Sequence, residues 1–577
     1  MVQFAQVTSS CGTTRPNPRT QRKGRSATSV AVRGTSSPHG PRFFRELRRL
    51  GLRKRSPCSG LAPPTPTSDQ GASVDARRSW TAPISIEAFT DRTWTYAQLL
   101  DDAEHAASWL AERFAPGEHL AVWAPNLPEW VILQYGAALA GLVLVTTNPA
   151  LRDAELQPVL SQSGSVGLLL TDSFRDTDMA AAVERIRPRL PRLREQASFT
   201  GWLAEIRRTP IRPLPQVDPG LAARIQYTSR TTGKPKGAVL HHHGLVTNAA
   251  FTAARAGFPQ HGTWVSALPL FHTAGCDLTV LGIAANRGTL VLVQVFQPQL
   301  VLDALQKHRA DFLGAVPVML SALLNHPCFD NYDLSACSAV LSGGDRVPPE
   351  LNKETERRFG ARFSVLYGQT KLSRTLTQAA ADDPAERLHT VGRPLWQAEV
   401  KMADPAGGDP LPVGEPGEIC GRGYQAMLGY HDLPEATAQR LDCDGWLHTG
   451  DLGVMDERGY VTVTGRIKDL IIRGGENIYP AEIEAVLLAH PSVRQAAVLG
   501  VPDPHRGEQV AAVVIPADPG APPTAAELHD HLRVTLAPHK TPRNWYLADD
   551  IPANAMGKTQ KFLLRRRIGE GDLKPLP

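Results

Sequence analysis

A chain of 577 residues is too long for one hydrophobic core and calls for two or more folding units. Its apolar fraction of 42% and charged fraction of 21% are those of an ordinary soluble globular protein. The formal charge of +5 belongs to one end: residues 1–58 carry thirteen Lys and Arg against Glu46 alone, a balance of +12 that leaves −7 for the remainder, so the mildly acidic body does not read as a nucleic-acid-binding core.

Residues 1–78 are rich in Arg, Ser, Thr, Pro and Gly and show little hydrophobic periodicity outside 43–52, so disorder is expected there. No acid precedes Glu46 while Arg and Ser abound, a composition shared by organellar transit peptides and solvated basic tails; no apolar core of a secretory signal follows the first residues. From residue 84 strands and helices alternate. Strand-like runs at 120–123, 142–145 and 166–170 are separated by helix-like runs at 129–140 and 154–161. The longest apolar run, 131–145, is divided by Gly136 and Gly141 and suits a buried helix followed by a strand rather than a membrane span. Further strands are expected at 264–268, 289–293, 312–314 and 339–341, with helices at 298–308 and 317–324. Such alternation indicates a parallel or mixed sheet covered on both faces, with its ligand crevice at the carboxyl ends of the strands. Turn residues at 409–418 open a β-rich portion with an alternating strand at 459–465. Beyond Lys468 a compact unit remains, with helices at 480–490 and 524–537 and strands at 496–499 and 509–515.

Seven scattered cysteines without a C-x-x-C spacing point to a reducing compartment and no structural metal. The triple His241-His242-His243 does not read as a metal site, because adjacent residues on a helix point in different directions.

The densest chemical signal is Tyr227-Thr228-Ser229-Arg230-Thr231-Thr232-Gly233-Lys234-Pro235-Lys236-Gly237. Backbone N–H groups of such a turn, its hydroxyls and two lysines suit a polyanion, and the loop is expected between an apolar approach and a helix-like run. It is not a Walker A loop, since Pro235 follows Gly233-Lys234 where Ser or Thr would hold magnesium. Farther on come Pro269-Leu270-Phe271-His272, Ser342-Gly343-Gly344, Tyr367-Gly368-Gln369-Thr370, Trp446-Leu447-His448-Thr449-Gly450-Asp451, Gly465-Arg466-Ile467-Lys468-Asp469, Gly474-Gly475-Glu476-Asn477-Ile478 and Gly557-Lys558. In this order, over residues 79–568, they resemble the signatures of the acyl-adenylate-forming enzymes, most closely the fatty-acyl-CoA synthetases.

The resemblance implies an α/β fold: a large N-terminal domain of mixed and parallel sheets covered by helices with a β-rich subdomain, and a small mobile α+β C-terminal domain. The expected division is a tail over 1–78, an AMP-binding domain over 79–467 and the small domain over 468–577. The implied reaction activates a carboxylic acid, medium- or long-chain fatty by overall resemblance, with ATP and magnesium, then transfers the acyl group to coenzyme A. An aryl acid, or a degenerate nucleotide- or acyl-binding protein of the same fold, are the alternatives. By the same resemblance Thr228, Ser229, Thr231, Thr232, Gly233 and Lys236 hold phosphates; Gly343, Gly344, Tyr367, Gly368 and Gln369 meet the nucleotide; Asp451 and Arg466 bind ribose; Thr370 approaches the α-phosphate. Lys558 bridges carboxylate and phosphate, His272 gates an acyl pocket near Phe271, Ala274, Leu278, Val316 and Met319, Lys468 is the hinge, and Gly474-Gly475 enter for the thiol step. Two positions depart from the pattern. Arg230 stands where the family has glycine, and Lys371 where it has a magnesium-supporting glutamate, so no metal ligand is assigned. A cytoplasmic enzyme is expected, or an organellar one if residues 1–78 are a transit peptide, with no transmembrane segment because no apolar run is long enough and no nucleic-acid partner because the basic charge belongs to the tail.

Overall fold

The computed structural model describes residues 32–33, 83–87, 90–228, 236–380, 382–384, 389–474, 476–553 and 559–577. Two sheets form the centre. In one, Glu195–Ser198, Gly167–Leu170, His119–Trp123, Val143–Thr147 and Ala222–Thr228 run parallel in that order, followed by antiparallel Lys236–His241 and Gly429–Tyr430. In the other, Arg362–Tyr367, Ala339–Gly343, Phe312–Gly314, Thr263–Ser266, Thr289–Leu292 and Pro83–Glu87 are parallel, with short antiparallel strands at both edges. Strands such as Val143–Thr147 and Thr289–Leu292 are buried along their whole length, as parallel strands covered on both faces must be.

The helices are defined by local chemistry. Thr95 and Gln98 form a reciprocal capping box at the start of Tyr96–Ala111, and Pro128 sits at the first position of Pro128–Leu139, where its missing N–H costs nothing. These two helices pack where Gly136 lies against Ala106; a Cβ on Gly136 would stand 2.7 Å from the Ala106 methyl. The expected parallel and mixed sheets with covering helices are therefore present, and most expected elements are observed within a few residues.

The helix anticipated directly after the phosphate loop is displaced. Lys236–His241 is a strand that folds back antiparallel on Ala222–Thr228, with Thr228 opposite Lys236 and Tyr227 opposite Gly237, and the helix His242–Arg255 comes only afterwards. The loop thus connects two antiparallel strands. Gly237 is required by this pairing, since a Cβ there would meet the Ile225 side chain at 2.5 Å. The His triple is likewise not all helical: His241 ends the strand and its Nδ1 accepts the Gly244 N–H at 3.2 Å.

A third sheet, Ala398–Ala403, Gly417–Gly423, Leu447–Met455 and Val461–Arg466, is wholly antiparallel and is the expected β-rich portion. Val32–Arg33 pairs with its edge, Val32 opposite Val400, although the composition around it predicts disorder; a free strand edge supplies the partners that periodicity cannot reveal. After Ile471 a fourth sheet built on Val493–Asp503 and Gly507–Pro516 encloses its own core, with Ile483, Leu487, Val498, Val510, Val514, Leu528 and Leu532 fully buried. Among the described residues no helix is long and apolar enough to cross a membrane.

Candidate active site

The carboxyl ends of Ala339–Gly343 and Arg362–Tyr367 lie side by side in the parallel sheet, Gly343 opposite Leu366. Beyond them the antiparallel sheet brings Asp451 opposite Arg466. The two sheets meet through a buried polar cluster. The Tyr367 hydroxyl donates to Asp451 Oδ2 at 2.9 Å, Gln369 Nε2 donates to the same oxygen at 2.5 Å and to the Thr449 carbonyl at 3.0 Å, and Arg466 Nε stands 3.1 Å from Asp451 Oδ1. The Asp451 N–H is itself held by Thr449 Oγ1 at 3.1 Å. Asp451 is 6% exposed, so these charge-assisted bonds operate where water competes little. Four residues expected from three separate motifs therefore converge.

Gly343 and Gly344 turn the chain at φ +157° and +87°. Gly368 is required more strictly, because a Cβ there would lie 1.8 Å from the Arg374 carbonyl oxygen. Thr370 begins a short turn, Thr370–Leu372, that carries Lys371 inward. Lys371 is 8% exposed and its Nζ stands 3.4 Å from the Thr449 carbonyl oxygen. The resemblance implies a magnesium-supporting carboxylate at this place; an ammonium has no lone pair to offer, so Lys371 does not fit a protein-held magnesium ion.

His272 follows Pro269-Leu270-Phe271 and precedes a π-helical turn, Ala274–Thr279, a form concentrated at functional sites. Gly275 allows the chain to fold back there, since a Cβ would meet the Pro269 oxygen at 2.3 Å. The imidazole is half-buried and ringed by packed atoms, and this burial, with the Arg374 charge, pushes its pKa down to about 3. Leu268, Ala274 and Val316 form a small apolar cluster with Met319 beside it, which places part of the expected acyl wall together; Phe271 is half-buried and Leu278 belongs to the main core.

Lys236 opens the strand after the phosphate loop and its Nζ lies 5.4 Å from the centre of the Tyr430 ring. Ser229, Arg230, Thr231, Thr232, Gly233, Gly475 and Lys558 fall outside the described residues, as does the Thr228 side chain. Lys468 is exposed in the turn Ile467–Asp469, and Gly474 is exposed at φ +61°. Arg346, two residues after Gly344, donates from Nη1 to the Ala481 carbonyl at 2.6 Å and so ties the crevice rim to the C-terminal portion.

Sequence reasoning missed Arg374. It lies four residues beyond Thr370, is 7% exposed, and has φ +98° directly after Ser373 at +48°. No local pattern marks it, because an arginine after a polar turn ordinarily faces solvent.

The description "AMP-binding enzyme" matches residues 72–431, and "AMP-binding enzyme C-terminal domain" matches residues 482–558. The chain is 37% identical over 508 residues to the putative acyl-CoA synthetase YngI of Bacillus subtilis, covering 83% of this chain and 92% of that protein. It is 32% identical over 511 residues to the mitochondrial medium-chain acyl-CoA ligase ACSF2 of Macaca fascicularis, covering 82% of each. The solved structure of ATP-bound MatB from Rhodopseudomonas palustris superposes with a TM-score of 0.77 at 29% identity, covering 84% of this chain and 95% of that one. With the crevice, the ordered motifs and both domain matches in agreement, this chain belongs to the AMP-binding enzyme family and is an AMP-forming acid–CoA ligase that works with ATP, magnesium and coenzyme A.

Proposed function

We propose that the acid activated here is one with an apolar body, in the medium- to long-chain range, and that residues 79–467 and 468–577 act as separate domains joined at Lys468. The single observation that carries the substrate reading is the Leu268, Ala274, Val316 and Met319 cluster beside His272. An uncharged imidazole can border an apolar chain without a desolvated charge, and burial keeps His272 uncharged throughout the physiological range.

In the adenylation step a carboxylate oxygen attacks the α-phosphorus of ATP, the bond from α-phosphorus to the bridging oxygen breaks, and pyrophosphate leaves. Thr228, Ser229, Thr231, Thr232, Gly233 and Lys236 hold the phosphates, with backbone N–H groups of the connecting loop as further donors. Asp451, anchored by Tyr367, Gln369 and Arg466, offers rigid acceptors to the ribose diol. The backbone of Gly343, Gly344 and Gly368, with Tyr367 and Gln369, meets the nucleotide, Thr370 faces the α-phosphate, and Lys558 pairs with the carboxylate and phosphate oxygens. In the second step the coenzyme A sulfur attacks the acyl carbon and AMP leaves; rotation at Lys468 withdraws Lys558 and brings Gly474-Gly475 to the site. Magnesium supplies charge neutralisation on the phosphates when bound, but Lys371 offers it no ligand.

Acid-dependent ATP–pyrophosphate exchange across short, medium, long and aromatic carboxylic acids tests this reading. Exchange strongest with medium or long alkyl acids is expected; exchange with aromatic acids alone overturns the substrate class. The buried Lys371 favours one second reading, a nucleotide binder with little turnover, which folded, ATP-binding protein without exchange toward any acid would establish.

A further inference from the structure

The guanidinium of Arg374 is almost wholly enclosed at 7% exposure, yet among the described residues it forms no hydrogen bond or ion pair, and its Nε is a buried donor without an acceptor. Burial lowers its pKa only to about 10, so it is a cation at neutral pH. An arginine rarely goes inside unpaired, because removing a charge from water without a partner costs several kcal/mol. The backbone is also held in the left-handed region at two consecutive non-glycine positions, Ser373 and Arg374, an arrangement that persists only where the surroundings enforce it.

Its place narrows the choice of missing partner. Nη2 lies 2.9 Å from where a Cβ of Gly344 would be, so the glycine makes room for the guanidinium at the crevice rim. Its charge also reaches His272, on the acyl side. The phosphates are assigned to the Thr- and Ser-rich loop and Lys236. The reacting carboxylate is a poor match, because it becomes part of a mixed anhydride after adenylation and loses its negative charge, leaving Arg374 unpaired for the thiol step. A second carboxylate on the substrate remains charged through both steps and accepts the two parallel N–H bonds that a guanidinium fork offers.

We propose that Arg374 pairs with a carboxylate that the acyl substrate carries in addition to the one being activated, so that the preferred acid is a dicarboxylic acid with an apolar spacer. This rests on the acid–CoA ligase reading and specifies its substrate class. The apolar wall near His272 takes the spacer, and Arg374 takes the far anion. Its conformation places a fixed cation at that end before substrate arrives, which favours binding by preorganisation.

The test compares monocarboxylic acids with α,ω-dicarboxylic acids of equal length, octanoate with octanedioate and dodecanoate with dodecanedioate, in pyrophosphate exchange on the full chain. Wild type is expected to favour the diacid in kcat/KM by about tenfold or more, the range of a charge-assisted contact. Arg374→Met should reverse the preference, and Arg374→Lys should keep part of it. The ratio within each variant cancels any loss of folded enzyme. Equal use of both acids by wild type, or an unchanged ratio in Arg374→Met, overturns the proposal. If no acid supports exchange, the alkyl ligase reading fails by itself. The same acid pairs are then scored by the thermal midpoint with ATP present: a rise specific to the diacid and lost in Arg374→Met supports the proposal, and equal shifts overturn it.

Discussion

Gly368 and Lys371 show how single atoms govern this site. Gly368→Ala should destabilise the protein severely, visible as loss of soluble expression or a large drop in the thermal midpoint, because the new methyl would lie 1.8 Å from a backbone oxygen that no rotamer can move. Arg230→Gly with Lys371→Glu should raise magnesium-dependent exchange by orders of magnitude, by restoring backbone freedom in the turn and an oxygen ligand beside it; unchanged turnover would remove both residues from suspicion. His272 and His242 set a pH dependence. Burial pushes them to about 3 and about 4 from the ordinary 6.5, so both stay neutral in the fold while the unfolded chain takes up their protons. Their contribution is complete above about pH 6.5 and is lost as pH falls toward 4, by up to about 1.4 kcal/mol per pH unit for each. Urea midpoints at pH 7 and 5 should therefore differ less in His242→Gln and His272→Gln than in wild type.

At the level of elements, the strand that leads into the phosphate loop is fastened to the π-helical turn behind the acyl gate. Arg224, four residues before Thr228, makes a buried ion pair with Asp277, and Gln134 Nε2 donates to the Cys276 carbonyl at 2.8 Å from the neighbouring helix. Both charged side chains are nearly inaccessible, so removing one strands the other in a poorly solvating interior. Arg224→Met or Asp277→Leu alone should cost about 3–5 kcal/mol in chemical denaturation, whereas the double substitution should be close to neutral. A double-mutant cycle that showed additivity would mean the pair is not coupled. The Asp451 network is also a property of elements. It exists because the direct antiparallel pairing of Asp451 with Arg466, and the carboxyl end of the parallel strand Arg362–Tyr367, bring Tyr367, Gln369, Asp451 and Arg466 to one point.

On the scale of the molecule, the C-terminal portion carries its own hydrophobic clusters, drawn entirely from residues between 471 and 576. A fragment of residues 468–577 is therefore expected to fold cooperatively in isolation, seen as a single thermal transition with dispersed amide signals; a broad, noncooperative melt would move the boundary. Arg346 to Ala481 is a bond across the junction, and the rotation proposed at Lys468 would break it.

Much of this is legible in the sequence. Periodicity alone revealed the alternation of strands and helices, because buried parallel strands and amphipathic helices impose different spacings of apolar residues. The order of short motifs identified the family, since a phosphate turn, a nucleotide contact and a ribose acid must recur as local residue types. What stayed hidden depends on residues far apart in sequence. That a strand and not a helix follows the phosphate loop is decided by the pairing of Ala222–Thr228 with Lys236–His241, and Val32–Arg33 finds order only because a sheet edge is there to receive it. The same holds for the chemistry. Arg374 reads in sequence as a surface arginine, and only the fold around Gly344, Gly368 and the turn after Thr370 encloses it with no counter-charge among the described residues, because desolvation is set by everything that surrounds a group and not by its neighbours along the chain.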